Sequence, residues 1–397
     1  MKNVSVIGQG YVGLPLAIAA AKSGYEVVGI DNNESKVNLL NSGLSTIEDV
    51  PNSEIENLLK TGRYRASVDF SVIKNSDVIL ICVPTPLSDL GGPDLKPLKL
   101  AIENISKFIK RKTLIILEST VEPGTTRNYL VPLLEEKSVL LRTDFEIAFS
   151  PERIDPTNIH WNIRNTPKVV SGLTDNSREL AVNFYSKFID KIIVCGSLEI
   201  AETAKLLENS FRFINISFIN EFLVFCNKLN IDIMEVINVA STKPYGFMPF
   251  YPSIGIGGHC IPIDPLYLAN KALEVGAPTK FIDLASKVNN EMPKYFASKA
   301  ELNLGTLRNK KILVIGVAYK IDISDTRESP SAKLIFELRL SGAYVDWHDE
   351  IVKDWNGEKS SIIREGYDLA IVATEHSYLD LTRLGTTPIL RLNGVIT

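Results

Sequence analysis

Residues 255–265 read GIGGHCIPIDP. Three glycines and two prolines preclude a regular helix or strand and leave backbone that a ligand can approach closely. Within this loop stand Cys260 and, four positions on, Asp264. A cysteine that only fills space in a core needs neither feature, whereas a nucleophilic thiol in a substrate pocket uses both. Three further groups have residue types suited to chemistry. FSPERIDP puts Glu152 and Arg153 just after a strand-like run. AKLLENSFR puts Lys205, Asn209 and Arg212 on one face of one helix. GVAYK…SDTRESP supplies Lys320, Asp325 and Arg327. Taken singly, each has a bland reading: a solvated helix face, a surface ion pair or, for His259, a loop hydrogen bond.

Taken together, they suit an oxidation carried past its first step. Removing one hydride from an alcohol needs an acceptor and a base but no thiol. At the aldehyde stage a thiol becomes useful. Thiolate addition gives a thiohemiacetal, loss of hydride gives a thioester, and water then releases an acid.

The hydride acceptor is legible at the N-terminus. VSVIGQGYVGLPLAIAAAKSGYEVVGID contains Gly8, Gly10 and Gly13 as GxGxxG, after a strand and opening a helix, with a second strand ending in Asp31. In that context the glycines allow a tight turn, close approach of a pyrophosphate and close helix–sheet packing, with the phosphates at the helix N-terminus. Asp31 accepts hydrogen bonds from ribose hydroxyls and repels a 2′-phosphate, so NAD is favoured over NADP. CVPTP and LESTVEPGTT end the next strands and place Thr85, Ser119 and Thr120 toward the nicotinamide.

The elements that must position these residues follow a βαβ rhythm. Strands are predicted at Val4–Ile7, Val27–Ile30, Val78–Val83, Leu114–Leu117, Ile147–Phe149, Val169–Ser171 and Ile192–Cys195. From Glu199, about thirty residues lack Gly and Pro, and the second half is apolar on nearly all sides. Such a helix is expected to be buried, between domains or in a homodimer. Helices continue to about Leu304, and the strand rhythm returns at Lys310. There ILVIG…SGAYVDWHD echoes VSVIG…SGYEVVGID, with Gly342 at the place of Gly24 and Asp349 at that of Asp31, but with a ten-residue insertion and no GxGxxG. The expected fold is α/β: two Rossmann-like parallel-sheet domains joined by a central helical domain with one long helix. The expected domains are 1–196 for NAD, 197–305 for the helices and cysteine loop, and 306–397 for a second nucleotide.

With 43 Lys and Arg against 47 Asp and Glu, the net charge of −4 gives no electrostatic case for nucleic acid or an anionic membrane. No apolar stretch approaches a membrane span and no signal segment precedes the first strand. Cys82, Cys195, Cys226 and Cys260 are scattered, without CxxC or a His/Cys cluster. The expectation is a cytoplasmic protein without a structural metal, with the first three cysteines in cores.

The motifs GQGYVGLPLA, VPTP, ESTVEPGTT, SPERIDP, KLLENSFR, GIGGHCIPIDPLYL and YK…DTRESPSA occur in one order over about residues 2–375. In this the chain resembles the nucleotide-sugar 6-dehydrogenases, and SPERIDP and HCIPIDPLYL look like the UDP-N-acetylhexosamine branch, especially its UDP-N-acetylglucosamine 6-dehydrogenases. The resemblance implies oxidation of a UDP-sugar C6 hydroxyl to the uronic acid, for polysaccharide biosynthesis, with Cys260 as nucleophile. It implies that Lys205 and Asn209 stabilise the oxyanion, that Asp264 and Thr120 hold a water and that Glu152 is the base for thioester hydrolysis. Arg153, Ile154, Arg212 and Gly257 would line the sugar pocket, and Lys320 would reach the substrate. Tyr11, Val12 and Lys36 would join the cofactor site, and Arg327 the pyrophosphate. The chain departs from the branch at Ser253-Ile254, where Gly-Pro is usual, and at Thr157, where Gly is usual. The alternative readings are a UDP-ManNAc, UDP-GalNAc or UDP-glucose 6-dehydrogenase of the same mechanism and, more remotely, a two-electron hydroxy-acid dehydrogenase or a silent NAD-binding sensor.

Overall fold

The computed structural model describes residues 1–397 except 89, 90, 141, 156, 157 and 159, so Thr157 lies outside the described residues. The chain packs as two compact units, Met1–Leu207 and Glu208–Thr397.

The first unit is built on eight strands: β1 (Asn3–Ile7), β2 (Glu26–Ile30), β3 (Tyr64–Ser67), β4 (Val78–Ile81), β5 (Leu114–Leu117), β6 (Glu146–Phe149), β7 (Lys168–Gly172) and β8 (Ile192–Val194). Their order is β3-β2-β1-β4-β5-β6-β7-β8. Neighbours run parallel except β6 and β7, which pair antiparallel at Phe149 and Ser171. The central strands VILI and LIIL are buried along their whole length, as expected for a sheet covered on both faces. Alternate residues feed opposite cores: Val4, Val6, Leu80 and Ile116 on one face, Ile7, Ile79, Ile115 and Leu117 on the other. The covering helices are α1 (Gly13–Lys22), α2 (Glu34–Asn41), α3 (Asn52–Lys60), α4 (Lys96–Phe108), α5 (Val131–Lys137) and α6 (Asp175–Tyr185). Strand order reverses between β1 and β4, which opens the ligand crevice of such sheets at their carboxyl ends.

Helix α7 (Leu198–Lys228) begins in the first unit and continues into the second. The second unit adds α8 (Ile233–Ala240), α9 (Asp264–Glu274), α10 (Lys280–Leu304) and α11 (Pro330–Leu340). Its strands are β9 (Lys311–Ile315), β10 (Tyr344–His348), β11 (Asp354–Trp355), β12 (Glu358–Lys359), β13 (Leu369–Val372) and β14 (Ile389–Leu390). The parallel sheet has the order β10-β9-β13-β14, and β11 and β12 form a separate hairpin. The fold is therefore α/β with two parallel-rich sheets and a helical segment carrying one long helix, as the sequence predicts.

Three expectations need correction. Strand β3 was not expected: YRAS is short and half polar, and it sits at the sheet edge with Tyr64 and Ala66 inward and Arg65 outward. Predicted strands end early at β4 and β8, so Cys82 and Cys195 lie just beyond them and are half-buried, while Cys226 is buried as expected. Helix α7 is not buried on all sides. Phe213, Leu223 and Cys226 are buried, but Phe211, Phe218 and Phe225, seven residues apart, are 46%, 59% and 53% exposed. None of the four cysteines is in a disulfide. Among the described residues no helix is long and apolar enough to cross a membrane, and no cluster of His, Cys, Asp or Glu could hold a metal ion.

Candidate active site

The dinucleotide half begins where β1 ends. Gly8 has φ +91°, and its N–H donates to the Ile30 carbonyl at 2.7 Å. A Cβ on Gly13 would lie 1.8 Å from the Gly8 carbonyl oxygen, so α1 can start this close to the turn only with glycine there. A Cβ on Gly10 would meet nothing within 4 Å, which leaves open space over the helix start. No side chain caps α1, and its first turn carries no acidic residue. Uncapped N–H groups at the positive end of a helix dipole suit a pyrophosphate, so the residues present fit NAD.

Asp31 is 8% exposed. One carboxylate oxygen accepts from the Gln9 N–H at 2.9 Å and the Lys36 ammonium at 3.0 Å, and the other from the Asn33 N–H at 3.0 Å. Burial alone would raise its pKa. The Asn33 and Gln9 amides and Lys36 outweigh burial and hold it below the usual value, so the group stays ionised. Lys36 is thus committed to Asp31 and is a poor partner for a 2′-phosphate. NAD is expected to be favoured over NADP by at least about 100-fold in kcat/KM. Asp31→Ala should weaken NAD by about ten- to a hundredfold, since a charge-assisted hydrogen bond contributes about 1.5–3 kcal/mol, and should release Lys36 to tolerate NADP. Initial rates with both cofactors check this, and equal wild-type efficiency would contradict it.

Thr85 and Ser119 follow β4 and β5 and are buried. Their hydroxyls tie the loops together: Thr85 donates to the Thr120 carbonyl at 2.9 Å, and Ser119 to the Val83 carbonyl at 2.6 Å. The turn after Thr120 hangs on Glu202 of α7, a fully buried carboxylate that accepts from the Gly124 and Thr126 amides at 2.6 and 2.9 Å.

Glu152 and Arg153 follow β6. One Glu152 oxygen accepts from the Arg153 and Ile154 amides at 2.6 and 2.7 Å, and the other faces the Lys168 ammonium at 3.5 Å. The Arg153 guanidinium donates to the Pro167 carbonyl at 2.7 Å. Lys168 also donates to Glu118 at 2.6 Å and to the Pro151 carbonyl at 3.2 Å, and the Tyr185 hydroxyl donates to Glu118. Sequence reading missed Glu118, Lys168, Tyr185 and Glu202: Glu118 lies in ESTVEPGTT, where Ser119 and Thr120 draw the attention, and the other three carry no local motif.

In the second unit Cys260 is exposed, immediately before α9. Its carbonyl accepts from the Asp264 and Ile263 amides at 2.9 and 3.2 Å, which sets the loop onto the helix start. Asp264 and Asn209 are 3% and 6% exposed and joined by an Asn209 Nδ2 to Asp264 Oδ2 bond of 2.5 Å. Lys205 stands one helical turn before Asn209 on α7, with Arg212 exposed beyond it. The insertion seen in the sequence is the loop from β9 to α11, and it packs on the cysteine loop. A Cβ on Gly257 or Gly258 would fall 2.7 Å from Tyr319, and the Gly258 N–H donates to the Arg327 carbonyl at 3.0 Å. Arg327 itself is forked onto Asp325, with Nε and Nη2 at 2.9 and 2.5 Å, and that pairing, first of all, raises its pKa further. His259 is kept neutral, chiefly by burial and then by Arg327, and its Nε2 is buried without a hydrogen-bond partner. Ser253-Ile254 is anchored: Ser253 N–H donates to Asn220 at 2.8 Å, and Ile254 is buried.

The two Rossmann-like turns share one geometry. Gly316 has φ +88°, and its amide donates to the His348 carbonyl at 2.8 Å, as Gly8 does to Ile30. Asp349, the counterpart of Asp31, accepts from the Val317, Ala318, Ile351 and Val352 amides and from His376 Nε2, and is 1% exposed. All its acceptor capacity is spent inside the domain.

A glycine turn with an uncapped helix and a buried aspartate, on a doubly wound sheet, defines a dinucleotide-binding protein. The chain belongs to the UDP-glucose/GDP-mannose dehydrogenase family. Its NAD binding domain matches residues 2–189, the central domain 199–291 and the UDP binding domain 313–388. It is an NAD-dependent UDP-sugar dehydrogenase. It is 34% identical over 380 residues to UDP-N-acetyl-D-mannosamine dehydrogenase of Pyrococcus horikoshii, covering 94% of this chain and 89% of the relative. It is 33% identical over 388 residues to UDP-N-acetyl-D-glucosamine 6-dehydrogenase of Salmonella typhi, covering 94% and 90%. A solved structure of UDP-D-ManNAc dehydrogenase from Pyrococcus horikoshii aligns over 98% of this chain and 93% of that one, with a TM-score of 0.90 at 33% identity.

Proposed function

We propose that the protein oxidises C6 of a UDP-N-acetylhexosamine, UDP-GlcNAc first among them, through two hydride transfers and a covalent Cys260 adduct. The observation that carries this is the exposed Cys260 just before α9, in a loop whose Gly257 and Gly258 pack against Tyr319, with the buried Asn209–Asp264 pair at the start of that helix. NAD, when bound, accepts hydride. Cys260 adds to the aldehyde, and Lys205 and Asn209 donate to the oxyanion that forms. After the second hydride leaves, Glu152 takes a proton from a water held by Asp264 and Thr120, and the thioester breaks to acid and thiolate. Arg153, Ile154, Arg212, Gly257 and Lys320 face the sugar nucleotide, and Arg327 the pyrophosphate.

UDP-GlcNAc rests on SPERIDP and HCIPIDPLYL, and UDP-ManNAc is the second reading because relatives of similar identity act on it by name. An acetamido group with its own hydrogen-bond partner should discriminate against UDP-glucose by about 1–3 kcal/mol. The test is NADH formed per mole of UDP-GlcNAc, UDP-ManNAc, UDP-GalNAc and UDP-glucose, with kcat/KM for each. Two NADH per hexosamine and no free aldehyde are expected. One NADH with a stable carbonyl product would end the covalent route, and UDP-glucose as best substrate would end the branch assignment.

The phenylalanine stripe of α7 supports a homodimer through this helix, and four cysteines outside any disulfide support a cytoplasmic setting. The functional division is taken as 1–196, 197–305 and 306–397.

A further inference from the structure

We propose that Lys168, seated on Glu118, is a positioning residue for Glu152, fixing where that carboxylate stands and how strongly a cation holds its electrons, and so setting the rate of thioester release. This rests on the reading of Glu152 as the hydrolytic base. Lys168 is almost wholly buried, with 5% of its side chain exposed, and Glu118 is fully buried. A buried ammonium is costly unless its donors are met. Here three acceptors meet it: Glu118 at 2.6 Å, the Pro151 carbonyl at 3.2 Å and Glu152 Oε2 at 3.5 Å. Two of the three belong to the segment that carries the base. Glu118 has both oxygens engaged, by Lys168 and by the Tyr185 hydroxyl, so beyond the direct repulsion between the two carboxylates its link to Glu152 runs through Lys168. Glu152 Oε1 is held by two backbone amides, which leaves Oε2 to take the proton from water. In that step water oxygen adds to the thioester carbon and its proton goes to Oε2. The C–S electron pair then returns to the Cys260 sulfur, giving acid and thiolate.

The groups facing this cluster are the Cys82 thiol after β4, Glu118 at the end of β5, Glu152 after β6, Lys168 on β7 and Tyr185 on α6. Burial, first, and the Glu152 charge push Glu118 up to about 7, against the pull of Lys168. Below that pH Glu118 is neutral and the Lys168 ammonium has Glu152 as its one charged partner in the cluster, which holds Oε2 back from water. Above it Lys168 is shared between two carboxylates and holds Oε2 less firmly. Thioester release should therefore rise with pH through about 7.

The experiment mixes full-length enzyme rapidly with NAD and whichever of UDP-GlcNAc or UDP-ManNAc the wild type uses. NADH is followed by absorbance, and the Cys260 adduct by acid quench and intact-protein mass. Lys168→Met is expected to keep the burst of two NADH per site, to accumulate acyl-enzyme and to release it about thirtyfold more slowly, with Lys168→Arg returning to within about fivefold of wild type. Glu118→Gln keeps both hydrogen-bond partners and should hold release at its low-pH value between pH 6 and 8. A folded Lys168→Met without acyl-enzyme overturns the proposal, as does a Glu118→Gln profile that superimposes on wild type. If Lys168→Met does not fold, the Glu118→Gln profile alone decides. A wild type that yields one NADH and no adduct removes Glu152's assigned step itself, and the proposal with it.

Discussion

Cys260→Ser is expected to lower steady-state turnover by at least about 10³-fold while leaving the NAD dissociation constant within about twofold. Serine is nearly isosteric, so the loop, its carbonyl contacts to α9 and the packing of Tyr319 on Gly257 and Gly258 should survive. What changes is the nucleophile: a hydroxyl is far less ionised than a thiol near neutral pH and needs an adjacent base to act. His259 is the nearest imidazole in sequence, but its Nε2 is buried without a partner and its pKa is depressed, chiefly by burial. Stopped-flow NADH formation with fluorescence titration of NAD separates the two effects. Turnover within tenfold of wild type would return Cys260 to a passive role. Cys226→Ser is the control, because Cys226 is 1% exposed in an apolar cluster with Leu223 and Phe296. It should cost stability, about 1–3 kcal/mol for a buried hydroxyl, and leave kcat alone.

Gly13→Ala is expected to raise the dissociation constant for NAD by about 100-fold, equivalent to about 2.7 kcal/mol, and to cost a further 1–3 kcal/mol or so of stability through overpacking. The added methyl meets the Gly8 carbonyl oxygen at 1.8 Å, the Gly8 carbonyl carbon at 3.0 Å and the Cys82 Cβ at 3.2 Å. Two of these are backbone atoms of the turn that positions the cofactor phosphates, so relief requires moving either the turn or α1. Gly10→Ala is the instructive comparison. Its methyl meets no protein atom within 4 Å, so any loss of NAD affinity there, without loss of melting temperature, reports a clash with the cofactor. Calorimetric titration and thermal melts on both variants check this pair. Unchanged NAD affinity in Gly13→Ala would mean that the turn relaxes without consequence.

The legible parts of this molecule were those whose information is local. The run from β1 through Gly8, Gly10 and Gly13 to Asp31 spans a single βαβ unit, and the Cys260 loop declares itself by glycine and proline content. The echo of Gly24 and Asp31 in Gly342 and Asp349 was legible for the same reason. What escaped was long-range. Lys168 and Glu118 are 50 residues apart, Tyr185 and Glu118 are 67 apart, and each alone reads as a surface charge or a core aromatic. Glu202 meets amides 76 and 78 residues away, where no side-chain pattern announces a partner. On α7 the limit was different. Phe213 and Phe218 are the same residue type five positions apart, yet one is buried and the other exposed, and apolarity alone cannot tell which face meets its own core.

The loop between β9 and α11 has a consequence for how this chain can be divided. Tyr319 forms the surface against which Gly257 and Gly258 close, and the Arg327 carbonyl receives the Gly258 amide. The Cys260 loop, though encoded before residue 300, thus takes its shape from residues encoded after 315. A fragment ending near residue 305 would retain Cys260, Asn209 and Asp264 and still lack the template for the thiol. Conversely, exchanging the last hundred residues with a relative's to alter nucleotide preference would transplant the wall of the thiol loop as well. In this enzyme the Cys260 loop and the nucleotide-type domain are inherited as one part.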